Sequence, residues 1–131
     1  MRAVGLYEFG EPDVLRVVDL PNPKAGPGEV RVRVHAAAVS PADTLLRAGV
    51  LAERFREVPG PYVPGMDIAG VVDEIGPETR TDLRVGESVM AMVMPLGIAA
   101  VGGYAEYRVL PAGWVVRAPR APTTRTLPPC P

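Results

Sequence analysis

At 131 residues, with 47% hydrophobic content and a formal net charge of −1, the chain is sized for one domain with a real core and lacks the basic face that nucleic acid requires. Sixteen prolines and fourteen glycines, set between apolar runs, exclude a helical bundle and read as strands joined by turns. The single cysteine, Cys130, permits no internal disulfide and no cysteine-rich metal site, and Met1-Arg2-Ala3-Val4 opens as a strand rather than a signal peptide, so a reducing, cytoplasmic setting is expected.

Arg2 to Tyr7 reads as a first strand, turned by Glu8-Phe9-Gly10-Glu11-Pro12. Val14 to Asp19 is the second, stopped by Pro21-Asn22-Pro23, and Ala25-Gly26-Pro27-Gly28 turns again. From Glu29 to Val39 the chain alternates, with Val30, Val32 and Val34 on one face and Arg31, Arg33 and His35 on the other. That is the period of a half-buried strand. His35, the only histidine, is thus expected on a solvated face. The change to Ala36-Ala37-Ala38-Val39 predicts that the strand then enters the core, covered on both faces.

Ser40-Pro41-Ala42-Asp43 predicts a helix start. Serine caps, proline suits the first helical position, and the Asp43 charge favours a helix N-terminus. Gly49 is placed to end the helix. Leu51 to Pro61 is a charged loop or short helix. A long strand is predicted over Asp67 to Ile75, where Ala69 and Gly70 imply close approach of another backbone.

Gly86-Glu87-Ser88 turns into a strand over Val89 to Val93. The charge-free run from Val89 to Val101 is broken by Pro95 and Gly97 and falls short of the ~20 apolar residues of a membrane helix. Met90, Met92, Met94 and Leu96 are expected to pack in the core, with an adaptable apolar lip as the alternative. Tyr104 to Val109 and Trp114 to Arg117 read as the last strands, and the Pro-rich stretch from Ala118 as an irregular tail. Mostly strands with one short helix predict a small all-β barrel or sandwich.

Dinucleotide binding needs a strand, a glycine-rich turn and a helix whose N-terminus meets the pyrophosphate. Gly26-Pro27-Gly28 is followed by Glu29-Val30-Arg31, so the third glycine of G-x-G-x-x-G is missing. Gly97 and Gly102 have Walker-like spacing, but Gly103-Tyr104 follow in place of Lys and Ser/Thr. Both are turn glycines, and no phosphate cradle is expected.

Other pieces recur in a telling order: Gly10-Glu11-Pro12, Pro27-Gly28-Glu29-Val30, and Ser40-Pro41-Ala42-Asp43-Thr44 with Arg47-Ala48-Gly49. Then come Pro61-Tyr62-Val63-Pro64-Gly65-Met66-Asp67-Ile68-Ala69-Gly70-Val71-Val72, Gly76, Gly86-Glu87-Ser88-Val89 and Gly103-Tyr104-Ala105-Glu106-Tyr107. Over Met1 to Trp114 this resembles the zinc-free quinone oxidoreductase and enoyl reductase branch of the medium-chain dehydrogenase/reductase superfamily. The resemblance implies a mainly-β fold, a GroES-like partly open barrel with one or two short helices, over residues 1–117. Residues 118–131 form the tail. Relatives pack this barrel against a Rossmann domain, which is expected to be absent from the chain.

The resemblance further implies hydride transfer from NADPH to a quinone or an α,β-unsaturated carbonyl. NADPH is not expected to bind the chain alone. Ser40 stands where zinc alcohol dehydrogenases carry a ligand cysteine, and Gly65-Met66-Asp67 where they carry Gly-His-Glu, so no metal is expected. By position, Ser40 is the cofactor-binding candidate, a short-reach hydrogen-bond donor toward the nicotinamide, or else a plain helix cap. Tyr62 is the catalytic candidate, its phenol bonding a substrate carbonyl, or else a loop tyrosine packed on the barrel. Leu51 replaces another tyrosine of the relatives and points to a more apolar pocket. Asp43 and Asp67 are expected to cap and to tie down the glycine turn. The implied partner is a small quinone or enone, with no nucleic acid, no membrane and a homodimer as one option. The alternative is a stand-alone, non-catalytic binding module.

Overall fold

Alternation places Val30 and Val32 fully inside, with Arg31 between them half-buried on the other face, and the same two-residue period runs through residues 67–72 and 88–92. A computed structural model describes residues 1–55, 57–94 and 101–119. In chain order the strands are β1 (Arg2–Gly5), β2 (Arg16–Asp19), β3 (Glu29–Ala37), β4 (Asp67–Ile75), β5 (Ser88–Met92), β6 (Tyr107–Pro111) and β7 (Val115–Arg117). One α-helix, α1 (Pro41–Arg47), lies between β3 and β4, and short 3-10 turns cover Pro12–Val14, Ala52–Phe55 and Ala112–Trp114.

The five-stranded sheet runs β6-β3-β4-β5-β7, antiparallel throughout, and β1 pairs with β2 as a separate ribbon. The stretch before β6 joins the two. Val4 N–H donates to the Tyr104 carbonyl at 2.8 Å, Glu106 N–H to the Arg2 carbonyl at 3.1 Å, and Val34 N–H to the Glu106 carbonyl at 2.9 Å. That bridge curls the sheet into a partly open barrel, the expected mainly-β fold. The predicted strand over Tyr104 to Val109 therefore begins later, at Tyr107. Its first residues cross to β1, with Ala3 opposite Ala105, instead of continuing one ladder.

The main core is built from Val30, Val32, Ile68, Val72, Val89, Val93 and Leu110, with each buried side chain contributing roughly 1.5–3 kcal/mol. A second cluster, Leu6, Leu46 and Phe55, seats α1 against the loop that follows it. Gly70 is required where β4 crosses β3: a Cβ there would lie 2.0 Å from the Arg33 carbonyl oxygen. The register shifts nearby, between Val34 and Ala36.

The alanine run departs from expectation. Ala36 and Ala38 are exposed and Ala37 is half-buried, so this end of β3 is not covered on both faces. Small apolar side chains there leave a hollow instead of filling a core. The methionines depart likewise: Met90, Met92 and Met94 are 43%, 60% and 41% exposed, because they occupy the outward positions of β5 and its continuation. They form the lip and not the core; Leu96 lies outside the described residues. So does the expected Pro-rich tail from residue 120 onward.

Candidate functional site

The chain leaves β3 through Ser40, which is extended (φ −122°, ψ 161°), and enters α1 at Pro41. Four free N–H groups at a helix start need acceptors. Ser40 and Asp43 answer this with a capping box: the Ser40 N–H donates to Asp43 Oδ2 at 2.7 Å, and the Asp43 N–H faces the Ser40 side chain in return, while also donating to the Ser40 carbonyl at 3.0 Å.

Asp43 does more than cap. It is 6% exposed and the one buried charged residue among those described. Its Oδ1 accepts the Gly65 N–H at 2.7 Å, and its Oδ2 also faces Ser40 Oγ at 3.0 Å and the Tyr104 hydroxyl at 3.2 Å. The Gly65 turn needs glycine: φ is +104°, and a Cβ would lie 2.7 Å from the Gly103 nitrogen and from the Tyr104 ring. Burial, followed by the charge and hydrogen bond of Asp43, pushes the Tyr104 phenol up to about 12. The knot thus ties helix α1, the glycine turn and the approach to β6 to one carboxylate.

Beside the knot lies an apolar hollow of about 570 Å3. Ala36, Ala38, Ala69, Met90, Met92 and Trp114 line it, and Asp67 stands at its edge. Ala38 links the two features, since its carbonyl lies 3.4 Å from the Tyr104 hydroxyl. A smaller hollow of about 270 Å3 between Met92, Met94 and Trp114 continues the same face.

Of the residues singled out in the sequence, Ser40 sits half-buried in the knot. Tyr62 sits elsewhere. Its ring stacks on Phe9 with centroids 5.1 Å apart and tilts against Phe55 at 5.4 Å, and its hydroxyl donates to the Val58 carbonyl at 3.0 Å. Leu51 packs in that same cluster. Asp43 fulfils both structural roles expected of the two aspartates. Asp67 does not share them: its side chain is exposed, and its backbone opens β4, opposite Met92, with its carbonyl accepting the Ala38 N–H at 3.3 Å. His35 is exposed. Among the described residues, no group of three or more His, Cys, Asp or Glu side chains is placed to hold a metal ion. No described helix is long and apolar enough to cross a membrane. Tyr104 is the member of the knot that sequence reasoning missed.

Residues 26–120 match the alcohol dehydrogenase GroES-like domain. The chain belongs to that family. Among curated relatives, this GroES-like chain is 34% identical to human quinone oxidoreductase over 122 residues, which is 91% of the chain and 34% of the relative. It is 35% identical to a Burkholderia 2-haloacrylate reductase over 118 residues, 90% of the chain and 33% of the relative. The quinone oxidoreductase structure from Coxiella burnetii superposes with a TM-score of 0.78 at 28% identity, covering 92% of this chain and 37% of that one. A mycobacterial protein solved in complex with NADPH superposes with a TM-score of 0.73 at 32% identity, covering 94% and 35%. The GroES-like chain spans about a third of the length of the curated relatives it matches.

Proposed function

We propose that this domain is the catalytic-domain part of a zinc-independent, NADPH-dependent oxidoreductase that passes hydride to a quinone or an α,β-unsaturated carbonyl, in a cytoplasmic setting. The observation that carries the reading is the pairing of a half-buried hydroxyl, Ser40, held in the Asp43 knot, with an adjoining hollow walled by alanines, methionines and Trp114. A flat, weakly polar ring suits such a wall. A divalent metal does not, because Ser40 and Met66 offer a neutral hydroxyl and a thioether where a catalytic zinc takes cysteine, histidine or carboxylate. The quinone oxidoreductase relatives and the NADPH-bound mycobacterial neighbour support the same class.

The residues present fit the nicotinamide end of NADPH and not its phosphates, since the sequence has no glycine-rich turn opening a helix. When bound, the cofactor supplies the hydride. Ser40 would hold the ring by its substituent, and the alanine and methionine wall would exclude water from it. Tyr62 is the proposed contact to the substrate oxygen. To donate there its phenol must exchange the Val58 carbonyl for the substrate's, and Leu51 makes that neighbourhood apolar. The working boundary is residues 1–117.

Replacing the matching third of human quinone oxidoreductase with residues 1–119 tests this. The chimera is expected to oxidise NADPH with quinones or enones, and to do so in the presence of a chelator. A folded, NADPH-binding chimera that reduces neither class overturns the reading. The full 131-residue chain alone should show no saturable NADPH fluorescence change at micromolar concentrations; a micromolar constant would place a dinucleotide site within these residues.

One observation favours a second reading as a stand-alone binding module: Met90, Met92, Trp114 and Val116 expose one continuous apolar face. Reversible, concentration-dependent homodimerisation by sedimentation, together with an inactive chimera, would select it.

A further inference from the structure

The hydrogen bonds of the knot fix which way the Ser40 hydroxyl points. A carboxylate accepts and does not donate. The two oxygens of Asp43 each take one obligatory backbone donor at 2.7 Å, Gly65 N–H on Oδ1 and Ser40 N–H on Oδ2, the pattern of a carboxylate and not of a protonated acid. Ser40 Oγ, 3.0 Å from Oδ2, therefore supplies the proton of that contact. A hydroxyl has one proton. With it directed at Asp43, and the Asp43 N–H facing one lone pair, the Ser40 oxygen has acceptor capacity left and no proton to donate.

We propose that Asp43 makes Ser40 a hydrogen-bond acceptor, so that the group seated at Ser40 is a donor: the primary amide of a carboxamide-bearing ring, and not the carbonyl oxygen of a quinone or enone. This rests on the placement of the nicotinamide at Ser40 and reverses the donor role expected from sequence. Ser40 is then a specificity-determining residue and Asp43 a positioning residue that acts through it. The neighbouring hydroxyl reinforces the assignment. Tyr104 directs its own proton to Asp43 at 3.2 Å or to the Ala38 carbonyl at 3.4 Å, so it too has none left for a ligand. A ligand carbonyl arriving at Ser40 would meet oxygen lone pairs, whereas an amide N–H would complete the hydroxyl's bonding.

The test uses the full chain, isotope-labelled, with two millimolar probes: reduced nicotinamide mononucleotide, and its counterpart in which an acetyl group replaces the carboxamide and so keeps the carbonyl but loses the N–H donors. Backbone amide shifts of Ser40, Asp43 and Gly65 are followed to saturation. The carboxamide probe should bind about tenfold tighter, the worth of one well-made hydrogen bond. Ser40→Ala should erase the preference, Ser40→Thr should restore it, and Asp43→Asn, which offers Ser40 an N–H and frees its proton, should lower or invert it. Thermal melts accompany each variant, and Ser40→Ala keeps the backbone half of the cap. Shifts of equal affinity for both probes, or a preference that survives Ser40→Ala, overturn the polarity assignment while leaving the oxidoreductase reading in place. Shifts for neither probe overturn the assignment and also remove the nicotinamide from Ser40; the chimera's activity is read separately.

Discussion

Among the described residues, Tyr104 carries the clearest pH signature. Its phenol is held protonated to about 12 by burial and by the Asp43 carboxylate, against about 10 for a free tyrosine. Between those values the folded chain keeps a proton that the unfolded chain has released. The stability this contributes is complete below about pH 10 and declines as pH rises toward 12. Urea midpoints should thus fall between about pH 9 and about pH 11 in the wild type and fall less in Tyr104→Phe; equal slopes would show the phenol to be solvated. At this scale the sequence disclosed half of the knot. Ser40 and Asp43 are three residues apart, and their capping roles are local chemistry. Gly65 and Tyr104 reach Asp43 from 22 and 61 residues away; the family resemblance points to the tie to the glycine turn, and no local pattern announces the meeting with Tyr104. Tyr62 was legible as a candidate, but the stacking on Phe9 and the bond to Val58 depend on how distant loops fold together.

Among the elements, β4 was read to its ends, Asp67–Ile75, because apolar alternation and a flanking glycine turn specify a long strand locally. The glycine within it was legible too, and Gly70→Ala is the substitution that tests why. The added methyl would overlap the Arg33 carbonyl, a backbone group that cannot swing away, so β3 and β4 must separate at their bulge. A loss of about 3 kcal/mol or more is expected in chemical denaturation, with amide exchange accelerated along Val32–Ala37; a change within about 0.5 kcal/mol would mean the crossing relaxes freely. What misled was composition without context. Alanines 36 to 38 and the methionines of β5 are apolar, yet a sheet has two faces, and periodicity does not say whether anything lies against the second. The Tyr104–Glu106 segment misled for a related reason: extended chain that bridges two sheets has the same composition as chain within one.

Over the whole molecule, the apolar face is monitored from within, because Trp114 is the single tryptophan and is 54% exposed on the hollow's wall. An apolar fluorescent dye should bind the native protein and quench Trp114 by energy transfer. Met92→Glu should weaken that binding several-fold while shifting stability by no more than about 0.5 kcal/mol, as befits an exposed position. Dye bound equally by wild type and variant would locate the apolar surface elsewhere.

The strand order has a temporal consequence. β3 is flanked by β4 and β6, and its pairing of Glu29 with Pro111 joins positions 82 residues apart. A ribosome adding about 5–20 residues per second delivers the second neighbour on the order of 4–16 s after the strand begins to emerge. Throughout that interval β3 shows an open edge to its surroundings, so the nascent chain is at its most adhesive before its last strands exist, and a holding chaperone would raise the yield of this domain more than it raises its final stability.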